Sequence, residues 1–193
     1  MIEKCTKVVV GWLISCDAID EKNRELYSYA VYSVFLSVYP LIFAICFGSV
    51  IGEMERSIFI IVPFAIIRKF CGGYHTKNSW SCLLVSSLLL LLCIVLSSYI
   101  RYVCFFTIMT MLAVMSLIYF SPIDSENKKL GQEEYIRYKK MTVFWVAFFL
   151  LMTTLLYLCQ GEKYSICISI GIILSAGLQI PCILKGKKIS KED

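Results

Sequence analysis

His75 and Cys82 are the two residues of this chain best equipped for chemistry, and His75 is the only histidine in it. A cysteine with a histidine is the minimum set for thiolate attack on a carbonyl: the imidazole takes the thiol proton and later protonates the leaving amine. The pair sits in a polar, glycine-broken stretch, residues 68–82, between long apolar runs. Arg68, Lys69 and Lys77 add positive potential there, and no carboxylate lies between Arg56 and Asp124 in sequence to oppose it. A cationic, incompletely buried setting is what keeps a thiol ionised. Gly72-Gly73 lets the backbone take unusual torsions and approach an extended substrate chain closely. In one straight helix, residues seven apart share a face but sit about 10 Å from each other, too far for proton transfer. The chain is therefore expected to turn between His75 and Cys82, near Lys77-Asn78-Ser79, with Ser79 capping the helix that carries Cys82. Asn78 is the nearest residue of a type that orients a histidine, and it is equally a turn residue.

Ordinary readings compete with each of these. A cysteine at the head of an apolar helix is commonly a packing residue, and a histidine in a loop is commonly interfacial. Cys71, four residues before His75, is a rival nucleophile that spacing alone does not exclude. A glycine pair by itself marks any flexible turn.

The elements around this stretch belong to a membrane protein. Of the 193 residues, 59% are hydrophobic and 17% charged, and the mean hydropathy is +0.75. A soluble domain of this size could not bury so much apolar surface. The predicted fold is a single all-α, polytopic integral-membrane domain over residues 1–193. Residues 1–25 read as an amphipathic surface helix, not as a cleavable signal peptide. Six apolar runs follow, at about 29–51, 58–67, 83–100, 103–120, 143–159 and 165–184. The second is short: ten to twelve helical residues reach only about 15–18 Å of the roughly 30 Å of hydrocarbon. Either its helix continues through Arg68 and Lys69 with both side chains snorkelling, or the next segment is re-entrant. A polar loop is expected at 121–141 and a basic tail at 185–193. The ten cysteines are scattered with no C-x-x-C pair, so neither a disulfide framework nor a zinc site is expected, and no metal or cofactor.

Lysine and arginine collect in 68–77, 128–140 and the tail, while the turns near 53–56, 101 and 161–163 are poor in them. The positive-inside rule then gives a multi-pass cell-membrane protein with both termini cytoplasmic and the His75/Cys82 stretch at the cytoplasmic face. The net charge of +5 suits anionic lipid heads; no pattern of nucleic-acid binding is visible.

The pattern R-x-x-x-G-G-x-H-x-x-x-x-x-x-C, from Arg68 to Cys82, resembles the signature of the accessory gene regulator B (AgrB) family. Ser121-Pro122-Ile123-Asp124-Ser125-Glu126-Asn127-Lys128-Lys129 is similar to that family's proline-acid-x-x-Asn-Lys loop, and the resemblance covers nearly the whole chain. It implies a membrane cysteine endopeptidase of Gram-positive bacteria that removes the C-terminal part of a quorum-sensing propeptide (AgrD-like) and supports its closure to a thiolactone. By position, Cys82 would be the nucleophile and His75 the general base and acid. Arg68 and Gly73 also fall on motif positions; from residue chemistry, Arg68, Gly72, Gly73 and Lys77 are expected to charge and shape the substrate path, and Lys128 and Lys129, which match the basic part of the second motif, would engage the propeptide's acidic region. Cys71 has no catalytic counterpart in the motif. Homodimerisation suits a small enzyme of six spans, although nothing in the chain demands it. The alternative is a peptide exporter in which the polar stretch lines a pathway, but the chain has no nucleotide-binding motif and no evident repeat.

Overall fold

The computed structural model describes the backbone of residues 2–71, 79–99, 103–123 and 131–181, and the side chains of these except residues 2, 33, 36, 37, 79–84, 103 and 104. The expected basic tail and the break near Arg101 lie outside the described residues. Among those described, all regular structure is helical: α1 (Ile2–Ser15), a short 3-10 turn (Glu21–Asn23), α2 (Arg24–Val50), α3 (Met54–Cys71), α4 (Ser79–Tyr99), α5 (Val103–Phe120), α6 (Gln132–Leu158) and α7 (Glu162–Gly177). A helix falls on each of the six apolar runs and on the N-terminal segment.

Of two boundaries, one decides between alternatives the sequence left open, and the other differs from expectation. The second run is a full 18-residue helix that ends at Cys71 and carries Arg68 and Lys69 in its last turn. At about 1.5 Å per residue it is roughly 27 Å long, so the helix continues through its cations. Cations suit a helix C-terminus, where the macrodipole is negative. Arg68 also lies over a ring of its own helix, its Cζ 5.8 Å from the Phe64 centroid. The difference concerns 121–141, expected as a loop: α6 already begins at Gln132. Glu133 and Glu134 in its first turn complement the positive helix N-terminus, so this charged stretch favours helix instead of interrupting it.

α3 and α7 form the centre, side by side and parallel. Glu55 meets Tyr164 at one end, and Cys71 meets Gln179 at the other. One apolar cluster joins this pair to α5 and α6 through Ile67, Leu117, Val146, Phe149, Ile168 and Ile172. A second joins it to α2 and α4 through Ala44, Ile60, Phe64, Leu90, Ile94 and Ile170. α7 can be central because its inner positions are small: Ser165, Ser169, Gly171, Ser175 and Ala176 are all buried. Two of its hydroxyls bond to backbone, Ser165 Oγ donating to Thr153 O at 3.0 Å and Ser175 Oγ to Gly171 O at 2.9 Å, so their burial leaves no donor unmatched. α1 packs on α2 and turns Thr6 and Val10 inward, while Val8 and Trp12 stay exposed.

The outward faces are apolar too. Leu88, Met115 and Phe144 are each 60–69% exposed. By length and composition, one helix among the described residues, Gln132–Leu158, is long and apolar enough to cross a membrane; Val38–Val50, Val85–Tyr99 and Phe105–Phe120 are shorter apolar stretches.

The tightest point between α3 and α7 is Gly171, where a Cβ would lie 2.6 Å from Ile60 O and 2.9 Å from Pro63 Cγ. Gly171→Val is therefore expected to destabilise by about 1–3 kcal/mol, since backbone cannot move aside as a side chain can. Gly177→Ala, with nothing within 4 Å of the added Cβ, is the control and should melt within about 0.5 kcal/mol of wild type. Thermal unfolding in detergent micelles reads both, and equal melting of Gly171→Val and wild type would contradict the close approach.

A charged cluster marks the end of the pair where both helices begin. Tyr164 Oη donates to Glu55 Oε2, and Lys163 Nζ lies 3.5 Å from the same oxygen. The Tyr164 hydrogen bond first, then the Lys163 charge, hold the Glu55 carboxyl below its ordinary value, and the Tyr164 hydrogen bond raises Lys163. With its folded-state value lowered, Glu55 contributes stability that is complete above the ordinary carboxylate range and is lost as pH falls through and below it. Glu55→Gln should flatten the acid limb of a melting-temperature profile below about pH 4.3, most visibly at low salt because the group is exposed. An unchanged acid limb would show that the cluster contributes nothing.

Candidate functional site

The ends of α3, α5 and α7 converge on one point, and the two segments with the sequence motifs leave from it. Cys71, the last residue of α3, is fully buried, and its carbonyl is one of the orphan acceptors that any helix C-terminus leaves. Two donors reach it: Ile123 N–H at 3.1 Å and Gln179 Nε2 at 3.1 Å. Gln179, in the turn after α7, is itself fully buried and donates also to Ser121 Oγ at 2.8 Å. Ser121 and Pro122 are buried beside it. Residues 72–78 follow directly on Cys71, and residues 124–130 directly on Ile123.

Around this junction the charge is positive. Lys69 is exposed, with Nζ 5.7 Å from the Phe70 centroid. Phe70 packs against Tyr138 of α6 at 6.2 Å between centroids, which sets the basic end of α3 beside the helix segment bearing Lys139 and Lys140. Tyr135, Ile136, Lys139, Lys140, Val143 and Phe144 line an open groove of about 480 Å³ along that segment. Its lining is almost wholly apolar, with Lys139 and Lys140 among the residues around it.

α4 is described from Ser79 onward and carries the backbone of Cys82. His75 itself, with Gly72, Gly73, Lys77 and Asn78, lies outside the described residues, as do Lys128 and Lys129; of Cys82 only the backbone is described. Arg68 is described, half-buried in the last turn of α3. Cys71, the rival thiol, is sealed in the helix junction, and an apolar, buried thiol is a poor nucleophile.

Gln179 and Ser121 escaped the sequence reading. The available signal was a neutral amide inside an otherwise apolar run, 165–184, just ahead of Pro181. A polar group in such a place is there for a partner. Its partners, 58 and 108 residues away, cannot be read from spacing.

The family model for accessory gene regulator B matches residues 6–182. AgrB-like protein 2 of Clostridium perfringens (strain 13 / Type A) is 22% identical, with 93% of this chain and 89% of the relative covered. An AgrB-like protein of C. perfringens (strain SM101 / Type A) shows the same identity and coverage. AgrB-like protein 1 of strain 13 is 20% identical over 81% of this chain and 84% of its own length. No solved structure matches the chain. With both motifs inside the matched region and the match running through α1 to α7, the chain belongs to the accessory gene regulator B family.

Proposed function

We propose that this protein is a cell-membrane cysteine endopeptidase that cleaves a quorum-sensing propeptide and hands its acyl group to an internal cysteine of the same peptide. The observation that carries the reading is the family match across residues 6–182, which includes His75 and Cys82 in their motif.

The chemistry proceeds in two exchanges. His75 takes the Cys82 proton, the thiolate adds to the scissile carbonyl, and the C–N bond breaks as the imidazolium protonates the departing amine. The acidic C-terminal fragment leaves, and the rest of the peptide remains as a thioester on Cys82. A cysteine thiol of the peptide then loses its proton to His75 and attacks the thioester. Thiolactone forms, and Cys82 departs as thiolate and is reprotonated. Thioester exchange is nearly neutral in energy while hydrolysis is downhill, so a site that limits water favours ring closure. Lys128, Lys129, Arg68 and Lys77 steer the acidic region, and Gly72-Gly73 admits the extended chain.

We place the enzyme across the membrane with this end of the bundle cytoplasmic. Its apolar exterior supports this: only 17% of the apolar window in α6 is buried, unlike the core helix of a soluble protein. The loops that the charge pattern assigns to one side are also those the hydrogen bonds gather, with Glu53 and Ser98 together at the end opposite Cys71 and Gln179.

Co-expression with the cognate propeptide tests the reading. Cys82→Ser should abolish the cleaved product, and His75→Ala should slow cleavage by at least about 100-fold. Cys71→Ser should still cleave. Product from Cys82→Ser would refute the peptidase and favour the exporter; loss of product from Cys71→Ser alone, with the protein present in the membrane, would move the nucleophile.

A further inference from the structure

We infer that Gln179 is a positioning residue for the catalytic segment, holding the roots of the His75 segment and of the Lys128/Lys129 loop in one clasp; the inference rests on the peptidase reading above.

Three hydrogen bonds meet at this point. Gln179 Nε2 donates to Cys71 O and to Ser121 Oγ, and Ile123 N–H donates to Cys71 O. The amide orientation is fixed by its partners: a carbonyl oxygen can only accept, so the nitrogen must face Cys71. Gln179 is wholly buried, and its own oxygen has no donor among the described residues. Keeping a half-satisfied amide in an apolar layer is costly, and a methionine or leucine of similar volume would serve packing better. A role in geometry accounts for its presence. The three residues before His75 follow on Cys71, and the four before Lys128 follow on Ile123, so a shift of this junction moves the roots of both segments together.

A further consequence concerns the two steps of the reaction. The loop proposed to seize the acidic tail and the segment proposed to cut are anchored on one amide, so the spacing between capture and cleavage is set there. Loss of the clasp should then fall on turnover more than on capture, because the charges that attract the tail remain.

The test uses the full-length chain in membrane vesicles with its cognate propeptide. Gln179→Met keeps the volume and removes the donor. It should lower kcat by about 10–100-fold, as small misplacements of catalytic groups do, with KM changed by less than about 3-fold. Alkylation of Cys82, followed by peptide mass spectrometry across pH, should shift its midpoint upward toward that of an ordinary thiol, about 8.5. Ser121→Ala removes one of the two acceptors and should cost about 2–10-fold in kcat in the same direction. A merely structural Gln179 would reduce the quantity of folded protein but leave kcat per intact enzyme and the Cys82 midpoint unchanged; that result overturns the inference. If Gln179→Met fails to accumulate, Ser121→Ala decides alone, and wild-type kcat and midpoint there overturn it as well. Failure of the peptidase reading looks different: wild type and Cys82→Ser would be alike in cleavage, while the Cys82 alkylation profile would still report whether Gln179 holds the segment.

Discussion

The backbone-to-backbone approach of α7 to α3 at Gly171 is the contact on which the rest of the bundle depends. It is available only to a residue without a side chain, because Ile60 O and Pro63 Cγ already crowd the space a Cβ would need. Once it is made, the register of two parallel helices is settled over their whole length. From Glu55 to Cys71 is a rise of roughly 24 Å, nearly the same as from Tyr164 to Gln179. Tyr164 therefore reaches Glu55 at one end, and Gln179 reaches Cys71 at the other. A central contact with almost no side chain in it thus delivers polar side chains to both ends. The remaining helices attach to this pair as two flanks, α5 and α6 on one cluster, α2 and α4 on the other.

Polar chemistry is confined to the ends, for a reason that applies to any apolar bundle. Between the ends, serine and threonine hydroxyls return to their own helix or a neighbour's backbone, as Thr142 does to Tyr138 O and Ser175 to Gly171 O. At a helix end such recycling fails, since the last carbonyls have no successors. The α3 terminus solves this with a strap and an amide from distant parts of the chain. That solution also ties together Cys71 and Ile123, the residues that directly precede the two motif segments in sequence.

Much of this was legible in the sequence, and the gaps have physical causes. Apolar runs marked the helices because a helix in an apolar surround must be apolar along its length. The second apolar run is short, and the sequence left open whether its helix continues through Arg68 and Lys69. In place they suit the helix C-terminus, and Arg68 lies over the Phe64 ring, so the helix simply includes them. The start of α6 was hidden: Glu133 to Lys140 is charged enough to resemble a loop, yet its charges are ordered as a helix prefers. Cys71 stayed a rival to Cys82 on spacing alone; the fold buries the Cys71 thiol, which spacing could not show. The Gln179 clasp was beyond reach, because only the folded chain brings 71, 121, 123 and 179 together.

The covalent intermediate offers the most direct measurement of the central claim. Purified enzyme in lipid would be mixed with a propeptide whose ring-closing cysteine is replaced by alanine, so that the second exchange cannot occur. Intact-protein mass spectrometry should then find the enzyme heavier by the N-terminal part of the peptide, with the adduct mapped to Cys82 and released by hydroxylamine, as a thioester requires. An adduct on Cys71, or cleavage of the peptide with no hydroxylamine-labile adduct on any cysteine, would contradict it.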